Sequence, residues 1–208
     1  MVCLAHHGIK GQKWGVRRFQ NPDGSLTEAG RKRYSKPIDV NSMNWKELHA
    51  LNKSGDDFVT PKGTAAYRST TNPNESLTGK KYVSLNKSDA RTYESFVADM
   101  YPDSEVYNLS YSTLKKMNVA GTKTQMEIMS KLKNEKIVDL WDMSDEDKDI
   151  LNKPATDPNT KAFIASFIGM GYDAAVDMLD VSIGYSYAPA IILETERLLE
   201  QKSKEKIA

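Results

Sequence analysis

From residue 57 onward, short β-prone runs alternate with amphipathic stretches, and no regular strand–helix–strand rhythm links them. Residues 64–71 (TAAYRSTT), 81–85 (KYVSL) and 105–110 (EVYNLS) have strand composition, and Asn72-Pro73-Asn74 breaks the first run. Asn86 or Ser88 is placed to cap a helix through about Met100, with Ala90, Tyr93, Val97 and Met100 on one face. Residues 123–134 repeat the helical pattern with Met126, Ile128, Met129 and Leu132 inward, and Ser144 with Asp147 forms a weak capping box. Residues 152–160 (NKPATDPNT) read as a loop, and residues 161–170 as a helix apolar on nearly all sides and therefore buried, with Gly171 as its left-handed cap. Residues 172–176 and 189–194 (PAIILE) read as strands, and residues 195–206 as an exposed helical tail. Strands interleaved with helices in this irregular way predict an α+β domain: a mixed β core with flanking helices.

Residues 1–36 are of another kind. Eight basic side chains stand there against Asp23 and Glu28, a balance of +6 that leaves −5 on the remainder of a chain whose net charge is +1. No amphipathic period runs through them, so this is an irregular basic arm preceding the body. Asn21-Pro22-Asp23-Gly24 has turn chemistry, after which Ser25 or Thr27 can cap a short helix over residues 28–34. Residues 37–56 read as a linking helix, with Trp45, Leu48 and Leu51 at helical spacing behind Ser42 or Asn44, and residues 57–208 as the domain proper. A basic arm on an acidic body suggests an anionic partner or the body itself. Lys10, Lys13, Arg17 and Arg18 could follow phosphates while Trp14 stacks on a base; Trp14 plugging a groove of the domain is the stronger alternative.

The remaining chemistry is limited. With 39% apolar and 27% charged residues the composition is that of an ordinary soluble chain, and no 18-residue apolar run suggests a membrane span. Cys3 is the single cysteine, which excludes an internal disulfide. His6 and His7 are adjacent and His49 is remote, so no metal-ligand spacing exists. Asp145, Asp147 and Asp149 alternate like a calcium loop, but Ile150 and Thr156 stand where its glycine and closing glutamate belong. No P-loop or nucleophile elbow occurs. The pattern with most content is Tyr67-Arg68-Ser69-Thr70 on one strand, Ser84 on the next and Asp177 before the last. The arginine and the serine could grip a diphosphate and a ribose hydroxyl while the carboxylate stabilises a developing oxocarbenium ion; Arg68 as a surface cation and Ser84 as a strand residue facing the adjacent helix is the stronger alternative.

Two parts of the chain resemble phage sequences. HHGIKGQKWGVRRFQNPDGSLTEAGRKRY, residues 6–34, closely resembles a leader found on tailed-phage and prophage proteins with unrelated downstream domains. The resemblance implies a shared signal read by phage capsid or other virion proteins, with His6, His7, Lys10, Lys13, Trp14, Arg17 and Arg18 as the partner-binding residues. The body, through AYRST, KKYVSLNKSDARTY, EVYNLSY with KKMNVAG, and GYDAAVD followed by APAIILE, resembles the ADP-ribosyltransferase-type domains carried by phage head-morphogenesis proteins. That implies NAD as cofactor if the domain is active and none otherwise, with Arg68 on the phosphates, Ser84 on the second strand and Tyr93 near the nicotinamide. The family's catalytic glutamate is missing, since no carboxylate occurs between Asp180 and Glu194. Asp177 and Asp180 are the nearest substitutes. The expectation is a phage-encoded, virion-associated protein with a degenerate ADP-ribosyltransferase-like domain, located in the virion or the host cytoplasm. The alternatives are an active NAD-dependent transferase modifying a host protein, and a structural protein that binds nucleic acid through its arm.

Overall fold

A computed structural model describes residues 36–154 and 156–207. The body, residues 37–208, is one compact unit. The expected helix over residues 28–34, and the leader residues from His6 to Arg18, lie outside the described residues.

The body is α+β. Its frame is one eight-stranded sheet, β1 (Phe58–Thr60), β2 (Ala65–Thr70), β3 (Lys81–Ser84), β4 (Tyr107–Thr113), β5 (Met117–Ala120), β6 (Ala174–Val176), β7 (Pro189–Ile192) and β8 (Leu199–Lys206), in spatial order β1-β5-β6-β7-β3-β2-β4-β8. Only β5 and β6 run parallel. The helices are α1 (Trp45–Ser54), α2 (Lys87–Met100), α3 (Thr122–Lys133), α4 (Asp145–Lys148), α5 (Pro158–Gly169), α6 (Met178–Ile183) and α7 (Thr195–Leu198), with a 3₁₀ turn at Leu140–Asp142.

Side-chain alternation along the strands divides the interior into two layers. On one sheet face Ala66, Val83, Leu109, Tyr111, Ala174, Val176, Ala190 and Ile192 pack with Val40 and Leu48. On the other, Ala175 and Ile191 meet Ile128, Met129, Phe163, Phe167 and Met178 from the helices. Leu48 belongs to α1, which Asn44 and Glu47 close with a reciprocal capping box. Residues 37–56 are therefore part of the body: Ile38 N–H bonds Val59 O at 2.8 Å, and Val40 is buried.

Several elements follow the sequence pattern closely. Asn86 caps α2, Ser144 caps α4, and Gly171 adopts φ 81° after α5. Others do not. β1 and β5 are strands that composition did not announce, and β4 starts and ends later than residues 105–110. Helix α5 begins inside the expected loop, where Asp157 caps it and Pro158 takes its first position. It is not buried on all sides: Phe163 and Phe167 pack inward while Ala162, Ala165 and Ile168 are exposed. The expected helical tail is one helical turn, α7, followed by the edge strand β8 on β4. The open edge of β4 offers a full row of backbone partners, which overrides the helical preference of EQKSKEK.

Candidate functional site

The sheet register decides how the expected site residues are distributed. Tyr67 lies directly opposite Ser84, so Ser84 shares the face of Tyr67, and Arg68 points to the other face, across from Leu109. Ser84, Tyr93, Asp177 and Asp180 collect on the helix-covered side; Arg68 does not join them.

On Arg68's own face a loop meets it. Nε of Arg68 bonds Glu75 Oε1 at 2.7 Å and Nη1 bonds Tyr82 O at 3.1 Å. Lys81 Nζ sits 3.2 Å from Glu75 Oε2, and the Tyr111 hydroxyl lies 3.4 Å from Oε1. Burial, with the Glu75 charge next, pushes the Tyr111 phenol above its ordinary value. One carboxylate thus serves two cations from adjacent strands and latches the 71–80 loop onto the sheet.

On the opposite face Ser84 is fully buried. Its Oγ is 2.9 Å from both Asn86 O and Asp89 Oδ2, and it accepts the Asn86 N–H at 3.1 Å. Asp89 also accepts from Tyr187 N at 2.8 Å, from Ala188 N at 3.0 Å and from the Ser186 hydroxyl. That carboxylate pins the segment before β7 to the first turn of α2. Neither hydroxyl is left free for a ligand.

The Tyr93 hydroxyl donates to Asp180 Oδ2, and its ring meets Tyr185 edge-on at 5.5 Å. Asp177 is only 4% exposed and caps α6, accepting Leu179 N at 3.0 Å and Asp180 N at 3.2 Å. Burial, then the Asp180 charge, lifts the Asp177 carboxyl to about 7, while the two backbone donors oppose the rise. Burial also raises Asp180, against its bond from Tyr93. The Tyr82 hydroxyl is buried without a hydrogen-bond partner among the described residues; burial, then the charges of Asp177, Asp149 and Asp180, raises its phenol. Burial thus acts on both carboxyls in the direction that favours their protonated forms. Among the described residues no group of three or more His, Cys, Asp or Glu side chains is arranged to hold a metal ion.

An opening lies elsewhere on the body. A groove of about 490 Å³ runs between the end of α1, the start of α3, the 138–141 segment and α6 with the residues after it. His49, Lys53, Lys123, Val138, Leu140, Trp141, Val181 and Tyr187 are among the residues that line it, and the His49 ring meets Tyr187 edge-on at 5.9 Å. Gly121 permits the close approach of α1 and α3, because a Cβ there would lie 2.3 Å from Gly55 O. A second, polar pocket of 270 Å³ lies beside Tyr67, Lys87, Arg91 and Asn108.

No protein family, no curated protein and no solved structure matches this chain. Among the described residues no helix is long and apolar enough to cross a membrane.

Ser84, Tyr93, Asp177 and Asp180 are brought to one side of the sheet, while Asp89, which holds Ser84, and Glu75, which holds Arg68, were not anticipated from the sequence. Asp89 had a signal, an acid at the third helical position behind Asn86. Glu75 had none, sitting in a loop of small polar residues. Lys53, Lys123, Trp141 and Tyr187 are separated in sequence and share a groove only through the fold.

Proposed function

We propose that this is a phage-encoded, particle-associated protein whose body, of ADP-ribosyltransferase descent, binds another molecule and performs no NAD chemistry. The leader resemblance supports the phage particle. The strands bearing AYRST, KKYVS, DAAV and PAII are neighbours in the sheet, β2, β3, β6 and β7, which supports the descent. The observation that carries the loss of chemistry is Arg68: Glu75 and the Tyr82 carbonyl occupy its guanidinium on the sheet face away from Ser84, Tyr93, Asp177 and Asp180. A dinucleotide held by Arg68 would not reach the carboxylates. Ser84 and Tyr93 are likewise engaged internally. Cleavage of the glycosidic bond of NAD needs a carboxylate facing the developing oxocarbenium ion, and Asp177, lifted to about 7 by burial and spent on the cap of α6, supplies that charge poorly.

The test is incubation of the full chain with labelled NAD and host lysate, beside Arg68→Ala. No label transfer and no NAD hydrolysis are expected from either protein. Transfer that depends on Arg68 overturns the reading in favour of an active transferase. Mass spectrometry of purified phage particles should detect the chain; its absence from particles refutes the virion assignment.

A further inference from the structure

Trp141 at 73% and Val138 at 66% are the most exposed large apolar side chains among the described residues, and Tyr187, 37% exposed, lines the same groove. Exposed tryptophan and tyrosine at a concave surface are the residue types that carry protein–protein binding energy. Two lysines line the groove with them. Lys53 makes no ion pair among the described residues, and Lys123 makes one with Asp56 at 2.8 Å in which both side chains are mostly exposed. An ion pair of that kind contributes roughly 0–1 kcal/mol and yields to a competing carboxylate. The acidic residue lining the groove, Asp139, already caps its own turn through Trp141 N at 3.0 Å. Lys148 Nζ lies 5.6 Å from the Trp141 ring centre and is paired with Asp145 at 3.1 Å, so it holds the ring without offering a free charge to the groove.

A ligand matching this lining must present carboxylates toward Lys53 and Lys123 and an apolar or aromatic group toward Val138, Trp141 and Tyr187. No arginine lines the groove. Lysine ammoniums are point donors suited to separate carboxylates, whereas planar bidentate recognition of phosphate favours the guanidinium fork. Resting on the reading of the body as a binding protein, we infer that this groove docks an acidic peptide segment of a partner protein, anchored by an aromatic or large aliphatic side chain against Trp141 and Tyr187. The groove occupies the side of the molecule formed by α1, α3 and α6, and its floor depends on Gly55 and Gly121.

The experiment is selection of a random dodecapeptide library on the full chain, followed by fluorescence anisotropy of the labelled consensus peptide. The expected consensus carries two or more Asp or Glu residues beside a Trp, Phe, Leu or Ile. A Lys53→Glu, Lys123→Glu double variant should weaken its binding at least tenfold, as should Trp141→Ala; all three positions are solvent-exposed, and unchanged thermal melting checks that the variants fold. Raising salt from 50 to 500 mM should weaken the native protein's binding more than the double variant's. A basic consensus, no consensus, or binding insensitive to both variants overturns the proposal. Concentration-dependent dimerisation that Trp141→Ala abolishes also overturns it and assigns the groove to a second copy. Particle association is read separately: a groove variant that still enters particles but has lost peptide binding leaves the virion reading intact, and peptide binding by a chain absent from particles leaves the groove intact.

Discussion

Burial moves the Asp177 carboxyl from 3.8 to about 7, with the Asp180 charge adding to the rise. The folded protein therefore holds this proton more tightly than the unfolded chain does. The stability tied to that proton is complete below about pH 4 and is lost as pH rises through about 7. A shift of this size corresponds to up to about 4 kcal/mol at 1.36 kcal/mol per unit. Asp177→Asn keeps the helix cap, since asparagine caps about as well as aspartate. The variant should match the native protein in urea midpoint at pH 4 and exceed it at pH 8; equal midpoints at both pH values would show Asp177 ionised without cost. Glu75 is held by two cations, Arg68 and Lys81. Its removal strands Arg68 and the buried Lys81, so Glu75→Ala should cost about 3 kcal/mol in urea unfolding, and Arg68→Ala should cost less because Lys81 keeps its partner.

Elements whose sequence signal and tertiary environment agree were legible, and those where tertiary context dominates were not. The caps Asn44, Asn86 and Ser144 and the Gly171 turn are local chemistry, and each stands where the residue type predicts. KYVS and PAII are buried strands read from composition alone. The tail EQKSKEK failed because every residue after Leu199 is exposed, leaving helix and strand undecided locally; pairing with β4 decides it. The chemical pattern failed in a related way. Arg68 and Ser84 were legible as residues on neighbouring strands, but which face each occupies depends on the β2–β3 register, which the spacing of the two runs does not fix. Truncation after Leu199 retains the buried leucines and uncovers the edge of β4. The truncated body should melt cooperatively yet scatter light at rising concentration; a monodisperse truncated protein would argue that β8 protects nothing. At the junction of α1 and α3, Gly121→Ala forces a methyl against Gly55 O and should cost roughly 1–3 kcal/mol.

The chain divides at residues 36 and 37, and the second unit contains its own two-layered core. Deletion of residues 1–36 should leave the melting temperature of the body nearly unchanged and abolish entry into particles; normal packaging of the shortened chain would refute an addressing role for the arm. Within the body, the position of β7 has a consequence for synthesis. The sheet consists of β1-β5-β6 on one side and β3-β2-β4-β8 on the other, and β7 is the strand that joins them. The ribosome completes β3 at Ser84 and does not begin β7 until Pro189. At roughly 5–20 residues per second, the edges of β3 and β6 that β7 will cover must wait seconds for it. Until β7 is made, whatever has formed of β1-β5-β6 and of β3-β2-β4 has an uncovered edge, which four buried residues then close.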